Sequence, residues 1–286
     1  MNPIVKSFFD PATFSLSYLV SCPETKKAVI IDPVLDFDPA AMKTDTASAQ
    51  KIIAEISQEG LELEWILETH AHADHLSAAQ YLKQSTGAPI GIGKEITQVQ
   101  NTFNQLFEFS NQAAASAEDF DRLLADGDKL NVGNLTIEVM HTPGHTPTCC
   151  TYVIGNAAFV GDTIFMPDFG TARCDFPGGN AAQLYQSLQR TLSLPADTRL
   201  FMCHDYMPGG RELAWESTVA EQKANNIHIK SSVTEAEFVK MRTQRDEQLP
   251  VPKLILPALQ INIRAGQLPK ESKSGTRFIK LPLNKL

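Results

Sequence analysis

A chain of 286 residues, 43% apolar, can bury a substantial core, and its formal charge of −8, from 25 basic and 33 acidic residues with no Lys/Arg block, offers no electrostatic grip on a polyphosphate backbone. The opening "MNPIVKSFFD" lacks an uninterrupted apolar h-region and no later stretch is long and apolar enough to span a bilayer, so a cytoplasmic protein with neither nucleic-acid nor membrane partners is expected. Five cysteines, an odd number without CxxC spacing, fit neither a disulfide framework nor a zinc knuckle.

In chain order, "TFSLSYLV" and "KKAVIIDPV" read as paired strands around the turn-like "SCPETK". "TASAQKIIAEISQEG" places Ile52, Ile53 and Ile56 on one helical face and stops at Gly60. "LELEWILET" is a strand, "HLSAAQYLKQSTG" a helix beginning at His75 and ending at Gly87, and "APIGIG" a short strand. "NQAAASAED" (111–119) is small, polar and expected at the surface. From Asp126 to Phe165 the runs are β-like, punctuated by "DG", "VGN" and "IGN" turns. Residues 180–194 are helical, "TRLFMCHDY" is a strand with polar residues at its exit, and "TEAEFVKMRTQRDEQL" opens with Thr234 and Glu237 in capping-box register. Paired strands interleaved with helices predict an α/β layered sandwich, one domain over 1–286 with 207–286 as a helical and tail extension. The C-terminal helices offer a surface for a homodimer.

The densest chemistry is "THAHADHLSA" (69–78). In an extended segment residues two apart share a side, so His70, His72 and Asp74 can converge while His75 turns the other way. Imidazole and carboxylate together suit zinc, iron or manganese rather than calcium or magnesium. Three more polar groups follow apolar strands: His145 on the Pro-Gly turn of "HTPGHT", Asp162 in "FVGDT" and His204 in "CHDY". Of the remaining histidines, His141 is separated from His145 by Pro143 and Gly144 and is expected to be structural. His228 has no ligand company and is expected at the surface or an interface. Cys22, Cys149, Cys150 and Cys203 are expected as buried thiols.

HxHxDH, a PGHT histidine, GD and a lone late histidine, in that order, resemble the metallo-β-lactamase fold superfamily over most of the chain to about residue 206. The resemblance implies a four-layer αββα sandwich with a metal site at one edge. In the superfamily's dinuclear hydrolases one metal takes the equivalents of His70, His72 and His145, the other those of Asp74, His75 and His204, and Asp162 bridges. Arg173, Asp175 and Phe176 in "TARCDF", with "CHDY" and "LPALQINIRAG", resemble the persulfide dioxygenase (sulfur dioxygenase) branch, most closely the bacterial β-lactamase hydrolase-like, type II group. That branch implies one Fe(II) per chain on His70, His145 and Asp162, with His72, Asp74, His75 and His204 around it. Its implied reaction takes glutathione persulfide and O2 to sulfite and glutathione. Arg173, Tyr206 and Arg264 are the candidate substrate-binding residues. Cys174, where mitochondrial relatives carry threonine, is a candidate redox thiol if Arg173 lowers its pKa. The principal alternative is a dinuclear glutathione thiolester hydrolase of the glyoxalase II kind, with zinc as the alternative metal there or in a recombinant preparation. A metal-bearing sensor or interaction module without turnover is the second alternative.

Overall fold

The fold is taken from a computed structural model that describes residues 1–109 and 114–285. The first half of the chain runs β1 (Ile4–Asp10), β2 (Ser15–Ser21), β3 (Lys27–Ile31), β4 (Val34–Asp38), β5 (Lys43–Asp45), α1 (Ala47–Glu59), β6 (Glu62–Glu68), β7 (Leu76–Ser77), α2 (Ala79–Thr86), β8 (Ile90–Gly93), α3 (Ile96–Leu106) and β9 (Arg122–Leu124). The second half runs β10 (Lys129–Val132), β11 (Leu135–His141), β12 (Cys150–Ile154), β13 (Ala157–Phe159), α4 (Ala181–Leu192), β14 (Arg199–Phe201), β15 (Glu216–Thr218), α5 (Val219–Asn225), α6 (Glu235–Asp246) and α7 (Ile255–Asn262). One six-stranded sheet is ordered β1-β2-β3-β6-β8-β9, the other β10-β11-β12-β13-β14-β15, and a small ribbon joins β5, β4 and β7.

Strands β2, β3 and β8 of the first sheet are buried on both faces, yet the two-residue period still sorts their side chains. Ala28 and Ile30 of β3, with Leu19 of β2, pack under α1, α2, α3 and α7. Val29 and Ile31, with Tyr18 and Val20, meet Ile137, Tyr152, Phe159 and Phe201 of the second sheet. On that sheet's outer face, Ala158 and Leu200 pack against Leu184 and Leu188 of α4 and Phe238 of α6. Helices, sheet, sheet, helices: this is the four-layer αββα sandwich expected. Each Leu or Ile fully buried in these layers contributes about 1.5–3 kcal/mol.

Local signals explain the ends. Gly60 closes α1 in the left-handed region (φ 62°), where its N–H reaches the Ile56 and Ser57 carbonyls. Asn180 caps α4 by accepting from Gln183 N at 3.0 Å, and the Thr234/Glu237 capping box opens α6 as predicted. Other expectations are corrected. The helix predicted from His75 starts at Ala79, because Leu76 and Ser77 pair with Leu35 and Val34 as a strand. His228 is not at the surface: it is 7% exposed, and its Nδ1 accepts from Thr171 N at 3.0 Å, since "NNIHIK" folds under the 165–171 loop instead of over it. The expected surface segment 111–119 lies partly outside the described residues; within it, Ala115 is buried while residues 116–118 are exposed. Among the described residues no helix is long and apolar enough to cross a membrane.

Candidate metal centre

The loop after β6, the turn between β11 and β12, and the exits of β13 and β14 open at one edge of the two sheets. Asp32, at the end of β3, anchors the first: it accepts from Thr69 N (2.7 Å) and Thr69 Oγ1 (2.8 Å). The second depends on Gly144, whose φ of 139° and lack of Cβ let the turn lie against α4; a Cβ there would sit 2.3 Å from Leu184 N. Leu16 N donates to Cys203 O (2.8 Å), tying His204 to β2. All five cysteines are free and buried.

These four loops bring together His70, His72, Asp74, His75, His145, Asp162 and His204. Among the described residues, the ligand atoms of His70, His145 and Asp162 lie within 4.8 Å of one another, as do those of His72, Asp74 and His75. His70 Nε2 and His145 Nε2 are 3.9 and 3.7 Å from Asp162 Oδ2, and His204 Nε2 is 3.4 Å from both Asp162 Oδ1 and Asp74 Oδ2. Ligand atoms at about 2.1 Å from one ion lie about 3.0–3.4 Å apart, so small inward shifts suffice.

Each ring has one nitrogen held and the other free. Thr69 Oγ1 donates to Asp32, so it accepts from His70 Nδ1–H at 3.0 Å and leaves His70 Nε2 as a lone pair. His72 Nε2 donates to Asp32 Oδ1 (3.0 Å), with Glu68 Oε2 at 3.3 Å. His75 Nδ1 donates to Asp74 Oδ2 (3.0 Å), His204 Nδ1 to Phe14 O (3.3 Å), and His145 Nδ1 to Arg173 O (2.7 Å). The remaining atoms His70 Nε2, His72 Nδ1, His75 Nε2, His204 Nε2 and Asp162 Oδ1 are buried without hydrogen-bond partners. A buried polar atom left unpaired costs about 1–3 kcal/mol. Five facing one another are what a cation would satisfy, and the donor set of imidazole and carboxylate fits zinc or iron. The edge is a metal-binding site.

Its electrostatics favour a neutral His70 and an ionised Asp74 for that chemistry, while Asp32 draws His72 toward its protonated form. Burial, then the neighbouring His72 and His145 rings, push the His70 pKa well below the ordinary histidine value, keeping it neutral. Burial opposes charge on His72 too, but the Asp32 carboxylate outweighs it and holds its pKa well above the usual value. Burial likewise raises Asp74, yet His204 and His75 outweigh it and keep the carboxyl ionised. Burial lifts Glu68 above the carboxylate range.

The other predicted residues are placed as follows. Tyr206 is 38% exposed at the mouth, its ring stacked on His204 (5.5 Å) and beside Phe169 (4.7 Å) and Phe14 (5.7 Å). Arg173 gives its backbone carbonyl to His145, while its guanidinium forks Asp175 (2.5 Å twice) and donates to Pro250 O (2.8 Å). Arg264 lies over the Phe109 ring at 4.6 Å, and its charged neighbour is Asp119, not a member of the cluster. Cys174 is 8% exposed and packs with Leu184 and Leu188; burial, then Asp246, push its thiol pKa up. The expected lowering by Arg173 fails because that guanidinium points to Asp175 and Pro250. His141 donates from Nε2 to Pro147 O (2.8 Å), bracing the turn that carries His145. Sequence reasoning missed Asp32, Glu68, Ser15 and Asn262, which all touch the metal loop. Only Asp32 and Glu68, acids ending the apolar runs "AVII" and "WIL", left a signal.

Comparison with known proteins agrees with this geometry. A family model described as the metallo-beta-lactamase superfamily matches residues 10–204. A beta-lactamase hydrolase-like protein of Xylella fastidiosa is 54% identical over 100% of the chain, which spans 66% of that protein's length. Glyoxylase B2 of Dictyostelium discoideum is 48% identical over 92% of the chain and 91% of its own length. The mitochondrial persulfide dioxygenase ETHE1 of Homo sapiens is 30% identical over 92% and 89%. The crystal structure of ETHE1 from Myxococcus xanthus superposes with a TM-score of 0.73 at 30% identity, covering 92% of this chain and 100% of that one.

Proposed function

Because the chain belongs to the metallo-β-lactamase superfamily and carries its metal-binding edge, we propose that it is an iron-dependent persulfide dioxygenase. Its reaction would be glutathione persulfide + O2 + H2O → glutathione + sulfite + 2H⁺, in which the terminal sulfur loses four electrons and O2 takes them. The observation that carries the reading is at His145. The "TARCDF" element, which sets the dioxygenase branch apart, supplies the carbonyl that orients this ring (2.7 Å), and Phe176 of the same element lies 6.3 Å from it.

His70, His145 and Asp162 would hold the metal, leaving positions open for substrate and gas. Ferrous iron bound there supplies the one-electron chemistry by which dioxygen reacts with a sulfur anion. The protein's share is positioning and exclusion of water. Thr69 and the Arg173 carbonyl fix the two rings; Phe14, Phe165, Phe169 and Tyr206 wall one side of the mouth. Arg173, beside the His145 ring through its carbonyl, and Tyr206, stacked on His204, are the groups proposed to receive the tripeptide. Asp74 Oδ2 accepts from His75 Nδ1 (3.0 Å) and Ser15 Oγ (3.2 Å), hydrogen bonds that hold this carboxylate beside the proposed iron.

A second reading, the dinuclear thiolester hydrolase, has its own support: His75 Nε2 and His204 Nε2 are buried without partners beside Asp74, and Glyoxylase B2 is 48% identical. The two separate in one experiment. Anaerobically purified protein is assayed for metal per chain, for O2 uptake with glutathione persulfide and for cleavage of S-lactoylglutathione. One iron per chain with one O2 consumed per sulfite is expected. Two metals with thiolester cleavage and no O2 uptake would overturn the dioxygenase reading.

A further inference from the structure

The family match ends at residue 204, yet the metal loop is gripped from beyond it. Helix α7 is buried almost all round, through Ile255, Ala258, Leu259 and Ile261, and its last residue is an asparagine only 4% exposed. A carboxamide in such surroundings is destabilising unless all its polar atoms are paired. Here Asn262 Nδ2 donates to the carbonyls of His72 (2.8 Å) and His75 (2.7 Å), and Oδ1 accepts from Ser77 N (2.8 Å). All three bonds go to backbone within 72–77, the stretch that presents His72, Asp74 and His75 and directly follows His70.

We infer that Asn262 is a positioning residue of the metal centre, a clip from the C-terminal segment that sets the spacing of the histidine loop. The loop needs one because its side chains face the cluster and only its end joins a strand ladder, so the carbonyls of His72 and His75 must find donors elsewhere. A planar amide offers two donors and an acceptor at once. Aspartate loses both donors, and glutamine is one methylene too long. Gly266 (φ 80°) presses on the same place, since a Cβ there would sit 2.7 Å from Ser77 O. The grip is passed inward: Ser77 Oγ donates to Glu68 Oε1, and Glu68 Oε2 lies 3.3 Å from His72 Nε2. The inference concerns loop geometry and is independent of whether the site holds one iron or two metals.

The test compares Asn262→Ala and the near-isosteric Asn262→Asp with Leu259→Ala, which opens a cavity in the same helix without removing a hydrogen bond to the loop. Cobalt(II) is the probe. Its dissociation constant is measured by chelator competition, its visible spectrum reports the ligand geometry, and thermal unfolding of the metal-free proteins reports stability. Both Asn262 variants are expected to bind cobalt about 10–100-fold more weakly, the range for partners that orient metal ligands, with an altered spectrum. Leu259→Ala is expected to lose stability while its affinity stays within about twofold. Parent-like cobalt binding in Asn262→Asp would overturn the inference, as would losses in all three variants that simply follow stability.

Discussion

Asp32 serves fold and site together, and two substitutions separate the roles. It is 2% exposed, and its carboxylate takes Thr69 N (2.7 Å), Thr69 Oγ1 (2.8 Å) and His72 Nε2 (3.0 Å). In Asp32→Ala the Thr69 hydroxyl keeps only the bond it accepts from His70 Nδ1–H, 3.0 Å away, and Thr69 N–H, Thr69 Oγ1–H and His72 Nε2–H are stranded. Three buried unpaired donors at about 1–3 kcal/mol each give a loss of about 3–9 kcal/mol, and relief of the buried charge draws it toward the lower half. In Asp32→Asn the shape survives. The amide oxygen at the Oδ1 position still accepts from Thr69 N and His72 Nε2, while the NH2 at the Oδ2 position donates to Thr69 Oγ1, whose own hydrogen must then turn to His70 Nδ1 and drive that ring's proton onto Nε2, the atom that faces the cluster. Stability then falls by no more than about 1–2 kcal/mol, whereas metal affinity falls about 10–100-fold. Urea unfolding of metal-free protein measures the first quantity and zinc competition against a chromophoric chelator the second. If Asp32→Ala loses less than about 1 kcal/mol, or Asp32→Asn binds zinc like the parent, the reasoning about this network is wrong.

Gly144→Ala drives a Cβ into Leu184 backbone and should cost about 1–3 kcal/mol while displacing His145; thermal scans with and without zinc check it, and an unchanged zinc-induced rise in Tm would count against it. Burial, then Arg242, bring His228 to a pKa of about 4 from an ordinary 6.5. The unfolded chain therefore binds the extra proton between those values, so this contribution is complete above about pH 6.5 and is lost as pH falls toward 4. In that window the slope is about 1.4 kcal/mol per pH unit. Urea midpoints from pH 7 to 4.5 should show a flatter dependence in His228→Asn, and identical slopes would contradict the assignment. Cys174, buried and with its thiol pKa raised, should resist iodoacetamide at pH 8 until the protein unfolds, as read by peptide mass spectrometry, and Cys174→Ala should oxidise glutathione persulfide at the parent rate. Rapid native alkylation of Cys174 would restore it as a redox candidate.

What was legible in the sequence follows from what local patterns can carry. Strands β2, β3, β6 and β11 announce themselves because apolar side chains must alternate or run between turn residues. The ligands announce themselves because four titratable side chains between positions 70 and 75 have no cheap structural use. Helix α3 was overlooked although Ile96, Val99, Gln100 and Phe103 do mark one face: its polar residues and β-branched start mask the period. Strand β1 was overlooked because only its partner β2 is buried throughout, and its own residues are mostly half-exposed. Arg173 was selected for its side chain, but it is the backbone carbonyl that meets His145, and a carbonyl has no sequence signature.

Asn262 and Ser15 were illegible for a deeper reason. Each acts across the fold, Asn262 on residues 185–190 positions away and Ser15 on Asp74, His75 and His204. A lone asparagine in "ALQIN" or a serine in "TFSLS" has the composition of any helix end or strand. Their placement also bears on which chemistry the edge runs. A full set of ligand side chains is compatible with one metal and with two, so the set cannot choose between them. The choice falls to the groups that compete for ligand oxygens. At Asp74, Ser15 Oγ and His75 Nδ1 already occupy Oδ2, at 3.2 and 3.0 Å, so a second ion would take Oδ1 or displace those hydrogen bonds. At Asp162, Oδ1 has no hydrogen-bond partner at all. That oxygen faces His204 at 3.4 Å, whereas Oδ2 faces His70 and His145 at 3.9 and 3.7 Å, so Asp162 stands between the two halves of the cluster and metal per chain is the measurement that decides between one ion and two.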